Sequence, residues 1–169
     1  MFDMFYPDEY LDSAYDVDYA GFYRQGYRGI IFDIDNTLVP HGAPADARAR
    51  SLFSYLDSLG FECCLLSNNQ RERVEMFNRD IGVHFVEDAH KPSRKGYERA
   101  MAEMRTTRST TLFVGDQLFT DVYGARRTGL YSILTKPIHP KEEIQIVFKR
   151  RLERVVLFFY RRQQRTQHK

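Results

Sequence analysis

Five short apolar runs divide this chain at regular intervals. They cover residues 28–33, 61–66, 83–86, 110–114 and 131–134, of which 83–86 is the weakest. Continuous apolar runs of this length are typical of parallel β-strands that are covered on both faces of a sheet. The pattern therefore predicts five strands, most of them buried on both sides.

Helical periodicity fills the intervals between these runs. Apolar residues recur at helical spacing across 44–59, before Gly60, and a charged stretch over 70–81 has the apolar face Val74, Phe77 and Ile81. Further helices are predicted over 92–105 and up to Gly129. Strands and helices that alternate without hairpin-length connections predict an α/β fold, a Rossmann-like doubly wound sheet of about five mostly parallel strands.

Length and composition favour one domain over residues 1–169. With 43% hydrophobic residues, a chain of 169 residues can build a single core. Residues 1–27 are interpreted as an amino-terminal extension, acidic and aromatic rather than signal-like. Cys63 and Cys64 are adjacent in a strand, so their side chains point to opposite faces and predict no disulfide. No apolar run approaches the ~20 residues of a membrane span, and a cytoplasmic location is expected.

Charge is unevenly distributed along the chain. Residues 141–169 contain nine Lys and Arg against three Glu, a local charge of +6 that leaves −4 for residues 1–140. From Pro140 onward, apolar residues recur at helical spacing between basic ones, at Ile144, Val147, Phe148, Leu152, Val155, Val156 and Phe159. Residues 140–169 therefore predict a basic amphipathic helix and tail. Such a helix can lie on an anionic membrane surface, or pack its apolar stripe onto the sheet.

Polar residues that could bind or react with a ligand come just after the predicted strands, at Asp33, Ser67, Lys91 and Asp116. In doubly wound sheets, ligands bind at this carboxyl edge of the strands. Asp33 and Asp35 would face the same way in a continuing strand; one carboxylate could attack phosphorus while the other donates a proton to the departing alcohol. Asp116 brings another carboxylate, and carboxylates with phosphate oxygens are suitable ligands for Mg²⁺. The set predicts phosphoryl transfer.

Four motifs, in order, resemble those of haloacid dehalogenase (HAD)-type phosphatases. Asp33 to Thr37 resembles the first, Ser67 the second, Lys91 the third, and Gly115-Asp116 through Thr120-Asp121 the fourth. The segments IIFDIDNTLVPH, CLLSNN and FVGDQLFTDVYGARRTGLYSILTKPI are similar to the YqeG-type subfamily, and to phosphatidylglycerophosphate phosphatases of mitochondria and plastids. The resemblance covers residues 6–156 and implies a HAD-like fold.

The resemblance also implies roles for individual residues. Asp33 would be the nucleophile and a metal ligand, and Asp35 the general acid/base, whose backbone carbonyl also binds the metal. Asp116 would be the third protein ligand of a Mg²⁺ ion, with Asp121 as an outer-sphere partner. Catalytic Lys91 would bind the substrate phosphate together with Ser67, Thr37 and Asn68.

Three of these assignments have alternatives. Lys95 lies one helical turn after Lys91 and could be the phosphate partner instead. Ser67 could cap a helix, and Asp121 could be a carboxylate favoured by a helix dipole. These alternatives remain open at the level of the sequence.

The spacing between motifs leaves little room for a cap domain, so the site should be open to large or membrane-anchored substrates. The first hypothesis is a Mg²⁺-dependent phosphomonoester hydrolase that works through an aspartyl phosphate. Phosphatidylglycerophosphate ranks ahead of soluble phosphosugars or nucleotides as substrate, and peripheral contact with the inner membrane surface through 140–169 is expected. The second hypothesis is a binding protein on the same scaffold that contacts RNA or ribosomes. Because the catalytic set is complete, a nucleic-acid partner is disfavoured.

Overall fold

A six-stranded sheet forms the centre of the molecule. The computed structural model describes residues 3–139 and 152–162. All strand pairs are parallel, in the order β1-β6-β5-β2-β3-β4. The strands are β1 (Glu9–Leu11), β2 (Gly29–Phe32), β3 (Glu62–Leu66), β4 (His84–Val86), β5 (Thr111–Gly115) and β6 (Tyr131–Thr135).

Helices cover both faces of this sheet. They are α1 (Tyr19–Arg24), α2 (Ala47–Leu59), α3 (Arg71–Asn78), α4 (Arg94–Met104), α5 (Tyr123–Thr128) and α6, described over 152–162. A π-helical turn, Leu118–Val122, precedes α5. The predicted α/β architecture is confirmed.

The sheet has one strand more than the sequence predicted. Strand β1 comes from the segment expected to be an extension, and Tyr10 lies opposite Leu134 of β6. It has only three residues, all half-buried. An edge strand this short has no continuous apolar run, so hydrophobic periodicity could not reveal it.

Successive strand residues contribute to two separate cores. Cys63 belongs to the core beneath α1, α2 and α3, whereas Cys64 belongs to the core beneath α4 and α5. The predicted opposite orientation of the two cysteines is confirmed. Both faces of the sheet are therefore buried under helices. The polar side chains that follow the strands lie at the carboxyl edge of the sheet.

Local sequence signals set the ends of α2. The Asp46 carboxylate accepts the N–H of Ala49 at 2.8 Å, which satisfies a free donor of the first turn. Gly60 ends the helix with φ +95°, a left-handed conformation that suits glycine. The helix thus begins at Ala47 and carries the chain back to the start of β3.

Strand β2 lies where the connections change direction. It pairs with β3 on one side and β5 on the other. The N–H of Asp33 donates to the carbonyl of Val114 at 2.9 Å, which brings the ends of β2 and β5 side by side. A crevice at such a switch point is the usual ligand site of an open α/β sheet.

Within the part of the chain that the structure describes, no cap domain covers this edge. Residues 33–46, between β2 and α2, and residues 67–70, between β3 and α3, contain no helix or strand. Within the described ranges 3–139 and 152–162, no helix combines the length and apolar character required to span a bilayer.

Helix α6 packs beside the π-helical turn. Val156 and Tyr160 are buried, and Val156 contacts the cluster formed by Leu118, Val122 and Leu134. The rest of the amphipathic segment predicted over 140–169 lies outside the described residues. This part comprises 140–151, with Ile144, Val147 and Phe148, and 163–169. Part of the apolar stripe therefore packs onto the body.

Candidate functional site

Asp33 lies at the centre of the carboxyl edge. It directly follows β2 and is 7% exposed. Its Oδ1 accepts from Nζ of Lys91 at 2.6 Å, and its Oδ2 accepts from Oγ1 of Thr37 at 3.1 Å. Both oxygens of the predicted nucleophile are thereby fixed in direction.

The loop after β2 turns back over the strand end. The N–H groups of Thr37 and Leu38 both donate to the carbonyl of Ile34, and Asn36 has φ +65° within this turn. Asparagine is one of the few non-glycine residues that tolerate this region. The turn places the hydroxyl of Thr37 3.3 Å from Oδ1 of Asp116, which follows β5.

Asp121 is completely buried beside Asp33 and Asp116. Its Oδ2 accepts the N–H of Gln117 at 3.1 Å, and the Tyr97 hydroxyl fixes its backbone by donating to its carbonyl at 3.0 Å. A Cβ atom on Gly115 would lie 2.6 Å from Oδ2 of Asp121. Glycine is therefore required where β5 ends, because the Asp121 carboxylate occupies that space.

Lys91 joins two of these carboxylates. Its Nζ lies 2.6 Å from Oδ1 of Asp33 and 2.7 Å from Oδ1 of Asp121. Its N–H donates to Oδ1 of Asn68 at 2.7 Å, so Asn68 orients the lysine backbone. Lys95, the alternative from the sequence, is exposed. The structure thus favours Lys91 as the cation of the site.

Ser67 is buried at the end of β3. Its Oγ accepts from the backbone N–H of Asn69 at 3.0 Å and from Nδ2 of Asn69 at 3.2 Å. The hydroxyl thus stabilises the turn after β3, whereas the N-cap position of α3 is occupied by Gln70, so the helix-cap alternative does not describe Ser67. A hydroxyl that accepts also has a proton to donate, so its predicted contact with the substrate phosphate stays a prediction.

Asp35 faces a different set of partners. Its Oδ1 accepts from Nη2 of Arg73 at 2.8 Å and from the N–H of Gly42 at 2.7 Å, and its Oδ2 accepts from Nδ2 of Asn69 at 2.7 Å. Arg73, Asn69 and Tyr97 were not predicted from the sequence as residues of the site. For Arg73 a signal existed, since it lies one turn before Phe77 on the apolar face of α3.

The carboxylates suit a divalent cation. One oxygen each from Asp33, Asp116 and Asp121 lie within 4.8 Å of one another, and all three residues are buried. Three carboxylates facing a single ammonium group leave an uncompensated charge of about −2. Hard oxygen donors in this number match the preference of Mg²⁺, and a bound divalent cation would balance the charge.

The electrostatics of the metal-free site follow from this excess. Burial raises the pKa of Asp33 to about 7. The positive charge of Lys91 lowers this pKa, but burial and the negative charge of Asp121 outweigh it. Burial and the charges of Asp33 and Asp121 raise the pKa of Asp116 well above its ordinary range. Burial alone would lower the pKa of Lys91, but the carboxylates of Asp121 and Asp33 outweigh it and raise that pKa. Without a metal, protons compensate the excess charge.

The stability of the metal-free protein should therefore fall as pH rises. The pKa of Asp33 is about 7 in the folded state against an ordinary 3.8, so the folded protein binds the extra proton between these values. Its free energy of unfolding should decrease across that interval by roughly 1–4 kcal/mol. Calorimetry with and without Mg²⁺ should show a gain in Tm that grows between about pH 4 and about pH 7.

Two variants make this measurement specific. Asp33→Asn should weaken the pH dependence of the Mg²⁺ effect, whereas Asp57→Asn, at an exposed position in α2, should leave it intact. An equal gain in Tm from Mg²⁺ at both ends of the interval would contradict the assignment.

Comparisons with known proteins identify the family of this chain. A family model for HAD-hydrolase-like proteins matches residues 89–143. The chain is 33% identical to the probable phosphatase YqeG of Bacillus subtilis, with 90% of each chain covered. It is 27% identical to phosphatidylglycerophosphate phosphatase 1 (chloroplastic/mitochondrial) of Arabidopsis thaliana, across 83% of this chain and 44% of the relative.

A solved structure shares the fold. The cobalt-bound deoxy-D-mannose-octulosonate 8-phosphate phosphatase of Haemophilus influenzae superimposes with a TM-score of 0.51 at 13% identity. The match covers 67% of this chain and 80% of that one. At this identity the similarity concerns the arrangement of strands and helices.

Proposed function

This chain belongs to the HAD phosphatase family that includes YqeG, and we propose that it hydrolyses phosphomonoesters with Mg²⁺ through a phosphate bound covalently to Asp33. One observation carries the proposal. Asp33, which directly follows β2, lies in a buried cluster with Asp116, Asp121 and the ammonium group of Lys91. This cluster supports the proposal because it offers a carboxylate for attack, further carboxylates for a metal ion, and a cation for the phosphoryl group.

The first half-reaction transfers the phosphoryl group to the protein. A carboxylate oxygen of Asp33 forms a bond to phosphorus while the bond to the ester oxygen breaks. Asp35 gives its proton to the departing alkoxide. The Lys91 ammonium compensates the negative charge of the phosphoryl oxygens.

The second half-reaction restores the protein. Asp35, now ionised, takes a proton from water as the water oxygen bonds to phosphorus. The bond between phosphorus and the Asp33 oxygen breaks, which regenerates the carboxylate and releases inorganic phosphate. Asp33, Asp116 and the Asp35 carbonyl would hold a Mg²⁺ ion, with Asp121 in support. The ion would supply charge neutralisation and orientation of the phosphoryl group.

For the substrate, we propose phosphatidylglycerophosphate. The Arabidopsis relative carries this substrate in its name. A cleft of ≈ 320 Å³ beside Lys91, lined by Asn68, Asp88 and His90, offers an amide, a carboxylate and an imidazole to a polar head group. Because the described residues form no cap over the edge, the diacyl part of a lipid could remain in the bilayer while its phosphate reaches Asp33.

Helix α6 supplies a surface for that bilayer. Leu152, Val155 and Phe158 are 47%, 50% and 61% exposed, although the opposite side of the helix is buried. Exposed apolar side chains of this size on one helix face are a feature of interaction surfaces. The surface lies near the site, since Oε1 of Glu153 accepts the N–H of Leu118, two residues after Asp116.

Charge favours an anionic membrane as the occupant of this surface. Residues 152–162 contain three basic residues, Arg154, Arg161 and Arg162, and one acidic residue, Glu153. Basic residues next to apolar ones bind anionic head groups with about 1 kcal/mol each. The hypothesis of an RNA-binding protein depends on residues 141–169, most of which lie outside the described ranges, and it stays a prediction.

A single experiment tests the activity and the surface together. Phosphate release is measured from phosphatidylglycerophosphate in phosphatidylglycerol-containing vesicles and from soluble esters, with Mg²⁺ and after chelation. We expect metal-dependent release that is faster on vesicles. The double variant Val155→Gln/Phe158→Gln should bind such vesicles roughly tenfold or more weakly, because about 1.5–3 kcal/mol of apolar burial is lost per residue.

The matched control is Tyr55→Gln, which removes an exposed aromatic residue from α2 and should not change vesicle binding. Absence of metal-dependent release from every ester would refute the phosphatase proposal. Equal vesicle binding by the double variant and the wild type would refute the membrane surface alone, while soluble esters would still be hydrolysed.

A further inference from the structure

Arg73 is placed where a hydrophobic residue would be expected. It lies on the side of α3 that carries Val74 and Phe77, both fully buried, and its own side chain is only 14% exposed. Its Nη2 bonds to Asp35, whereas its Nε and Nη1 are buried without a partner among the described residues. Buried donors that lack a partner cost free energy. Stability alone does not explain an arginine here.

The carboxyl group of Asp35 is fixed at both of its oxygens. Oδ1 accepts from Arg73 and from the N–H of Gly42, and Oδ2 accepts from Nδ2 of Asn69. Asn69 is fixed in turn, because the same Nδ2 contacts Oγ of Ser67 at 3.2 Å. The position and plane of the carboxyl group are thus determined by two side chains outside its own loop, Arg73 and Asn69, together with one N–H group of the loop.

We infer that Arg73 and Asn69 are positioning residues that direct the proton transfers of Asp35; this inference rests on the proposed function. Asp35 follows β2 in a loop without helix or strand, whereas α3 is anchored to the core by Val74 and Phe77. A general acid must lie within about 3 Å of the atom that it protonates. The hydrogen bond from Arg73, which belongs to the anchored helix α3, holds the Asp35 carboxyl group in one position.

This role predicts a dependence on the leaving group. A simple alcohol is a very weak acid, so an alkyl phosphate requires a proton from Asp35 as its ester bond breaks. The p-nitrophenolate ion is stable without that proton. A displaced Asp35 therefore slows cleavage of the alkyl ester and has little effect on cleavage of the aryl ester.

The experiment compares kcat/KM for glycerol 3-phosphate and p-nitrophenyl phosphate in the full-length protein with Mg²⁺. In Arg73→Gln, the ratio of aryl to alkyl kcat/KM should rise by about tenfold or more, part of the roughly 10²–10⁴-fold that general acid catalysis contributes. Because water activation also uses Asp35, phosphoenzyme should accumulate, visible as a burst of p-nitrophenol before a slower steady state. Arg73→Lys should restore part of the ratio.

The control is Arg71→Gln, two residues away in α3. Arg71 is exposed, pairs with Glu75 and contacts none of the site carboxylates described here, so its ratio and burst should match the wild type. A second variant, Asn69→Ala, removes the contact with Oδ2 and should raise the ratio in the same direction, which also serves if Arg73→Gln does not fold.

The outcomes separate this inference from the proposed function. Equal losses on both esters in the Arg73 and Asn69 variants, with no burst, would show a structural role and overturn the inference while the phosphatase activity of the wild type stands. A wild-type protein that hydrolyses neither these esters nor the lipid substrate would overturn the proposed function itself.

Discussion

Asp33→Asn is expected to abolish phosphate release, by roughly 10⁴-fold or more, because an amide cannot form the acyl phosphate. The loss should appear on lipid and soluble esters alike, since both depend on the same attacking oxygen. The fold should survive, as asparagine has the same shape and the carboxyl group that it replaces has its pKa raised to about 7 by burial. Phosphate release and the far-UV circular dichroism of both proteins provide the measurement.

The matched control for this variant is Asp57→Asn, which makes the same chemical change at an exposed position in α2. It should retain wild-type activity. Residual turnover in Asp33→Asn above a tenth of the wild type, with protein shown free of deamidation by mass spectrometry, would exclude Asp33 as the nucleophile.

Lys91→Met should have the second largest effect, on activity and stability together. It leaves the carboxylates of Asp33, Asp116 and Asp121 buried without their ammonium partner. Removing one partner of a buried ion pair typically costs about 3–5 kcal/mol, and a lost electrostatic contact with the reacting group lowers kcat by roughly 10²–10³-fold. Chemical denaturation and steady-state kinetics measure the two losses.

The stability of Lys91→Met should depend more strongly on Mg²⁺ than that of the wild type. Mg²⁺ should recover more unfolding free energy in Lys91→Met than in the wild type, because the cation replaces part of the missing charge. Lys95→Met, at the exposed position one turn later, should change neither quantity. The opposite result, with Lys95 essential and Lys91 dispensable, would reverse the assignment of the two lysines.

The sequence predicted those parts of the fold that depend on local pattern. Strands β2, β3 and β5 were identifiable because both faces of each are buried, which produces continuous apolar runs. Strand β1 was not, because its three residues are half-buried. Its place in the sheet follows from pairing with β6, across more than a hundred residues of sequence.

The site shows the same division. Asp33 and Asp116 were predicted from their positions after strands, and the parallel sheet brings them together. Arg73 and Tyr97 were missed because each acts through a residue distant in sequence, Asp35 and Asp121 respectively. No spacing rule links an arginine on α3 to an aspartate after β2, and only the packing of α3 on the sheet makes the contact.

The π-helical turn Leu118–Val122 has a consequence for how this family can diversify. Phe5 packs against Phe119, Tyr6 against Tyr160, and Arg161 over Tyr10, so the segments around 3–11 and 152–162 meet on the turn that carries Asp121. Neither segment supplies a reactive group. Natural selection could therefore exchange these two flanking segments without rebuilding the catalytic sheet.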